Sequence, residues 1–482
     1  MICMNYGMIF YVLGWIISLE SVMMVPSAIV ALIYKEKDGI SILITIAICV
    51  IPFLLRLFIK PKKRQIYARE GFVIVALSWF VLSFIGALPF RISGYIPHMI
   101  DAVFETASGF TTTGASILTD VEALPHCLLF WRSFTHWVGG MGVLVFLIAI
   151  LPMAGNGSDM FLMKAESPGP SIKKIVPKVK GTALVLYSMY IVITVMEMLF
   201  LLAGGMPLFD TLTLTFGTAG TGGFGVLNSS IADYTLYQQI VITIFMILFG
   251  VNFSAYYLIF RKKFKDVLHM SEVIVYLTIV AVATAIISFN IAHMYDHAGI
   301  AVKDAAFQVA SIITTTGYST VNFDLWPTLS KGILVLLMFI GACAGSTGGG
   351  IKVSRIVVLV KTVFKELDYV VHPNNVRKVK VDGKQLEHTV LRAINVFMAS
   401  YIFFFAISFL IVCLDNFDLT SSFTAVAATL NNIGPALGVA GPASNYSTFS
   451  YLSKCVLILD MIAGRLELFP VLILFSPRTW KA

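Results

Sequence analysis

Four times along this chain a short apolar segment runs into a tetrad closed by glycine: Thr111-Thr112-Thr113-Gly114, Gly220-Thr221-Gly222-Gly223, Thr314-Thr315-Thr316-Gly317 and Asn431-Asn432-Ile433-Gly434. The copies align beyond the tetrads. Asp101, Asp210 and Asp304 each stand ten residues before the first tetrad residue, and Ser421 holds that place in the fourth copy. All four are residue types favoured at helix N-caps. Ten helical residues rise about 15 Å, half the hydrocarbon thickness of a bilayer. A helix that short enters a membrane and stops midway, so the recurrence points to four re-entrant units around an ion-selective pore.

The remaining composition demands a membrane. Of 482 residues, 58% are hydrophobic and 12% charged, and the mean hydropathy is +0.88; a soluble globule carries about a quarter charged residues. Windows of about 20 apolar residues mark membrane spans. Ten are found, near 9–33, 40–59, 71–90, 127–151, 182–204, 236–260, 272–292, 331–360, 391–413 and 448–475. The first lacks a basic leading region and exceeds a signal-peptide apolar core, so it reads as a retained helix. The short segments fall between spans three and four, five and six, seven and eight, and nine and ten. The expected fold is therefore an all-α polytopic membrane protein: four fused helix-pore-helix repeats around a pseudo-fourfold central pore, plus two extra N-terminal transmembrane helices. Its expected divisions are 1–60 for the extra helices, 61–160, 161–265 and 266–370 for the first three repeats, the third with a broken second helix, and 371–482 for the fourth.

Charge placement fixes the orientation. Lys60, Lys62, Lys63, Arg64 and Arg69, then Lys164, Lys173, Lys174, Lys178 and Lys180, then Arg261, Lys262, Lys263 and Lys265, and finally the cluster from Lys352 to Arg392 occupy alternate loops. The opposite loops are poor in basic residues and hold Asp120, Glu122, Asp233, Asp296 and Asp324. By the positive-inside rule both termini are cytoplasmic and every tetrad opens outward. Parallel units of this kind permit an axis along the membrane normal, whereas inverted-repeat transporters have the opposite symmetry. Topology thus accounts for the net charge of +8, and no nucleic-acid partner is expected. The six cysteines show no C-x-x-C spacing, so neither a zinc site nor a disulfide framework is expected.

An ion leaving water needs replacement oxygens, and backbone carbonyls around an axis supply them without fixed charge. Gly114, Gly223, Gly317 and Gly434 let the backbone aim carbonyls inward. The C-terminal ends of four short helices add partial negative charge. The expected filter comprises all sixteen tetrad residues, built for a monovalent cation.

Span eight is interrupted by Gly341-Ala342-Cys343-Ala344-Gly345-Ser346-Thr347-Gly348-Gly349-Gly350, five glycines in ten residues. Each glycine costs a helix interior about 1 kcal/mol relative to alanine, so an unwound intramembrane loop is expected; the alternative is a helix-packing seam from Gly341 to Gly345. Arg465 lies inside an apolar window, where a charge costs about 3 kcal/mol and marks a pore-facing or paired group. Its bland reading is an ion pair with Asp460 or Glu467. Arg132 is given no role beyond a structural one. Three patterns mislead: Gly220 to Gly225 fits G-x-G-x-x-G without a preceding strand, Gly345 to Gly350 meets Ile351 where a phosphate loop needs lysine, and His293 with His297 lack a third ligand. No nucleophile-base constellation stands out, so an enzyme is not expected.

These units resemble those of the Trk/Ktr/HKT superfamily of potassium transporters, which fuse four helix-pore-helix units with one key glycine in each filter. The resemblance covers essentially the whole chain. It is strongest to the bacterial TrkH-type subunits, through the two extra N-terminal spans, the segment Lys164-Ala165-Glu166-Ser167-Pro168-Gly169-Pro170, the third filter from Thr314 to Ser319 and the fourth from Asn431 to Pro435. The second filter departs, with Gly225 after Phe224 where a small hydroxyl residue is expected. The resemblance implies channel-like potassium uptake across a bacterial plasma (inner) membrane, with K+ as substrate at the filter. It also implies a gate below the filter, formed by Gly341, Gly345, Gly348, Gly349, Gly350, Lys352 and Arg465. The implied partners are a second copy in a homodimer, membrane lipid, and a cytosolic TrkA-type regulatory subunit through which alone a nucleotide or NAD acts; no cofactor is bound covalently. The alternative is a secondary transporter for another monovalent cation or small solute, coupled to protons or sodium. Coupling is not demanded energetically, because 100 mV is worth about 2.3 kcal/mol per charge.

Overall fold

The computed structural model describes residues 4–58, 67–142, 179–373 and 378–480. The basic residues Lys60 to Arg64, the segment from Lys164 to Pro170, Lys173, Lys174 and Lys178, and the inner end of span four lie outside the described residues. Strand is confined, among the described residues, to an antiparallel pair of two-residue segments, Lys380–Val381 and Lys384–Gln385. Everything else that is regular is helix.

Two helices, Tyr6–Tyr34 and Gly39–Phe58, form an N-terminal hairpin outside the repeats. Asn5 caps the first by accepting the amide of Met8, and Lys35 ends it in the left-handed conformation. A Cβ on Gly39 would lie 2.5 Å from the Cβ of Ala31, so the close crossing requires glycine. Glu36, in the turn, docks the hairpin on the first repeat by accepting the amides of His126 (2.8 Å) and Cys127 (2.9 Å) and the His126 ring (2.9 Å). Burial alone would raise the Glu36 carboxyl, but these hydrogen bonds outweigh it and hold it below its ordinary value. A carboxylate depressed in the folded state stabilises at neutral pH and loses that contribution as pH falls through its folded value. Glu36→Gln should therefore lower the melting temperature of the detergent-solubilised protein at pH 7, and its deficit against wild type should shrink below pH 4.5, the ordinary value.

Each quarter then repeats one plan. Long first helices are Ala68–Gly86, Val179–Ala203, Ser271–Ile291 and His388–Val412; short helices are Met99–Phe110, Leu208–Gly220, Ala298–Ile313 and Leu419–Leu430. Second helices are His126–Gly140, Leu236–Phe249, Thr328–Ile340 and Tyr451–Arg465. The short helices are enclosed by the others: Phe104, Ala219, Phe307 and Ala428 are fully buried. Four of their buried hydroxyls are satisfied along the helix, with Thr106, Thr213, Thr218 and Thr429 donating to carbonyls four residues back. Outward faces carry Leu32, Phe289 and Phe403 in the open, a surface that acyl chains solvate and water does not.

Two sequence expectations need correction. Asp101, Asp210, Asp304 and Ser421 are not N-caps, because the short helices begin earlier, with His98, Pro207, His297 and Asp418 at the N-cap position, of which Asp418 caps through its side chain. Inside the helices these side chains make tertiary contacts: Asp101 pairs with Lys454 at 2.7 Å, Asp210 accepts the Tyr234 hydroxyl at 3.1 Å, and Asp304 accepts that of Thr320 at 3.0 Å. Ser421 donates to Asp418, which caps the fourth short helix through the Ser421 amide. The spans are also less continuous than hydropathy implied. Among the described residues, five helices are each long and apolar enough to cross a membrane. Span six bends by 92° between Leu236–Phe249 and Phe253–Phe260, and span ten divides into Tyr451–Arg465 and Phe469–Phe475. Asn252 forces the first break by capping a new helix through the amide of Ser254; Glu467 and Leu468, both at positive φ, make the second.

Candidate functional site

All four short helices end in one hydrogen-bonded turn. The amide of the third tetrad residue reaches the carbonyl five residues back: Thr113 to Ser108, Gly222 to Gly217 and Thr316 to Ser311 at 2.8 Å, and Ile433 to Ala428 at 2.9 Å. The second residue's amide reaches three back, to Gly109, Thr218, Ile312 and Thr429. This Schellman closure places the second residue in the left-handed region, and Thr112, Thr221, Thr315 and Asn432 have φ of 57, 56, 59 and 57°. For β-branched threonine that conformation is an outlier held in place by its surroundings. The closing glycines, 114, 223, 317 and 434, follow at φ of 78, 82, 84 and 93°.

The four turns form a closed ring. A Cβ on Gly114 would lie 2.0 Å from the carbonyl oxygen of Gly222; on Gly223, 2.0 Å from that of Thr316; on Gly317, 2.0 Å from that of Ile433. The circuit returns to its start at Gly434, whose Cβ would lie 2.7 Å from the carbonyl oxygen of Thr113. Each glycine therefore abuts the third-residue carbonyl of the next quarter. Side chains brace the turns: within the first and third, the hydroxyls of Thr111 and Thr113 and of Thr314 and Thr316 share bonds of 2.8 Å, and between the fourth and the first Asn432 donates to the Thr113 hydroxyl at 3.0 Å. Tyr401 donates to Asn431 at 3.0 Å, and Tyr446 to the Gly434 carbonyl at 2.8 Å.

The glycine-rich segment sits directly against this ring. Gly341 and Gly345 have φ of 70 and 72°, which excludes a helical seam between them; the third repeat's second helix stops at Ile340 and restarts only at Val353. A Cβ on Gly348 would lie 2.9 Å from the Thr314 carbonyl oxygen, and one on Gly349 2.4 Å from that of Asn431. The Gly349 amide donates to the Thr315 hydroxyl at 2.6 Å. Gly350 folds back on Gly341, and Lys352 donates to the Gly348 carbonyl. Arg465 crosses from the fourth repeat to donate to the carbonyl of Thr347 in this loop (2.7 Å) and to those of Gly139 and Gly140 in the first repeat (both 2.6 Å). Glu467 is engaged by Arg355, and Asp460 accepts from Ser408 at 2.6 Å.

Sequence reasoning missed the struts that hold the loop. Glu272 accepts the Ala344 amide at 2.5 Å and the Asn252 side chain at 3.4 Å, while the amides of Cys343 and Phe253 exchange bonds with Gly250 and Gly345. Arg355 also lies 4.2 Å from the centre of the Phe397 ring. The available signal was Gly250 followed by Asn252 inside an apolar window, a helix stop followed by a cap.

A family model described as cation transport protein, TrkH, matches residues 38–273 and 266–481. The chain belongs to the TrkH cation transport family. Among TrkH proteins, the Trk system potassium uptake protein TrkH of Salmonella typhimurium is 37% identical, over 99% of this chain and all of the relative. An uncharacterized cation transporter of Methanocaldococcus jannaschii is 32% identical over 98% of this chain and 96% of its own length. The crystal structure of the potassium transporter TrkH from Vibrio parahaemolyticus superposes with a TM-score of 0.87 at 32% identity, covering 99% of this chain and 100% of that one. TrkH membership establishes an all-helical, multi-pass membrane transporter and not an enzyme.

Proposed function

We propose that this protein takes up potassium across a bacterial inner membrane through a selectivity filter made of the four tetrads. The closed ring of glycine-to-carbonyl approaches carries this reading. Backbone oxygens drawn from four quarters replace the water shell of a monovalent cation without introducing fixed charge. The relatives from Salmonella and Vibrio, named for potassium uptake and transport, supply the ion's identity. The division at residues 60, 160, 265 and 370 belongs to the same reading, as do cytoplasmic termini and outward-opening tetrads.

The loop of Gly341, Gly345, Gly348, Gly349 and Gly350, with Lys352 and Arg465, is the gate beneath the filter. Two copies form the working unit, and a cytosolic TrkA-type nucleotide-binding subunit engages the basic inner loops and acts on the gate. Expression with that regulator in a potassium-uptake-deficient bacterium at low K+ tests the function. Growth is the expected result; a well-expressed wild-type protein that restores none contradicts it.

A further inference from the structure

The second filter lacks a hydroxyl beyond its tetrad: Gly225 stands two residues after the closing glycine, where the first and third copies have Ser116 and Ser319 and the fourth has Ala436. Its backbone is held by side chains from both neighbouring quarters. Arg132, in the first repeat's second helix, donates to the Gly225 carbonyl at 3.0 Å and lies 3.6 Å from the centre of the Phe224 ring. His136, one turn further on, accepts the Phe224 amide through Nε2 at 3.3 Å and contacts the Gly109 carbonyl through Nδ1 at 2.7 Å. From the third repeat, the Tyr318 hydroxyl reaches the carbonyls of Leu214 (3.0 Å) and Phe224 (3.3 Å).

Arg132 is in turn fixed by Glu105 on the first short helix, at 2.6 Å, with side chains only 3% and 1% exposed. Glu105 also accepts the Ser116 hydroxyl at 2.9 Å and the Ile117 amide at 3.0 Å. One carboxylate therefore braces the segment leaving the first tetrad and, through Arg132, the segment leaving the second. The equivalent positions, six residues before each tetrad, are Leu214, Gln308 and Ala425, so the acid is particular to the first quarter. A buried ion pair is weak evidence for stability, because desolvation offsets the attraction. A guanidinium does provide rigid, directed donors that a lysine cannot reproduce.

We propose that Arg132 and Glu105 are positioning residues for cation selectivity, the first quarter supplying the polar brace that the second filter's own sequence lacks. This rests on the potassium-filter reading. The test measures K+ and Na+ flux in proteoliposomes for wild type, Arg132→Lys and the double variant Arg132→Met with Glu105→Leu, with monodispersity in detergent as the check on folding. Arg132→Lys keeps the buried charge pair but loses the fork to Gly225, and the double variant removes both charges together.

Both should conduct with a K+ preference lowered about tenfold, the worth of one charge-assisted hydrogen bond. Wild-type preference in either variant, once monodisperse, overturns the proposal. Should the double variant fail to fold, Arg132→Lys decides alone. Absence of K+ flux through wild type would instead sink the potassium-filter reading, so the two failures are distinguishable.

Discussion

Alanine at Gly317 should lower potassium uptake at least about a hundredfold while the protein still reaches the membrane; left-handed strain on a non-glycine residue costs about 1–3 kcal/mol, and an unrelieved clash adds to it. The added Cβ would stand 2.0 Å from the Ile433 carbonyl oxygen and 2.9 Å from the Pro435 ring. Neither neighbour is the free end of a flexible side chain, so the ring itself must distort. Gly114→Ala and Gly223→Ala meet a carbonyl at the same 2.0 Å and should match it, whereas Gly434→Ala, at 2.7 Å, should be the mildest of the four. Rubidium uptake normalised to membrane content measures this order. Equal, near-wild-type uptake in all four variants would remove the glycines from the conduction path.

Neutralising Arg465 should have the opposite sign. The guanidinium joins the glycine loop to the first repeat through three carbonyls, and the loop in turn abuts the first tetrad residues Thr314 and Asn431. Removing it frees the Thr347 end of that bridge. It also removes a like charge, which at about 5 Å from a cation costs about 3 kcal/mol at an effective dielectric near 20. Arg465→Gln should raise basal flux by about one to two orders of magnitude, and Arg465→Lys, which keeps the charge but not the three-way bridge, by less. Flux through monodisperse Arg465→Gln in proteoliposomes, unchanged from wild type, would take the gate away from this residue.

The four-quarter plan was legible because its markers recur at fixed offsets: a half-length apolar segment followed by a glycine-closed tetrad carries its own register. The unwound segment from Gly341 to Gly350 was legible for a simpler reason, since helix propensity alone rejects five glycines in ten residues. Local composition is silent about partners far away in the chain. Arg355 and Glu467 are separated by 112 positions, and Arg465 lies 118 from Thr347. The bend at Asn252 was passed over because apolar residues on both sides of it merge into one span-length window, in which Gly250 and Asn252 are the local marks of a helix stop and a new cap. The caps were misread because Asp101 and Asp210 are suited to a helix start and do lie in its first turn, where a carboxylate also answers the helix dipole. The left-handed threonines had no sequence signal; only the enclosing ring makes Thr112, Thr221 and Thr315 adopt a backbone they disfavour.

The most direct measurement is diffraction from crystals in which K+ is replaced by Rb+, with the anomalous signal locating the ion. A peak is expected on the axis enclosed by Gly114, Gly223, Gly317 and Gly434, within coordinating distance of carbonyls from all four quarters and lost when Gly317 is replaced. A peak seated elsewhere in the protein, with none within the ring, would contradict it.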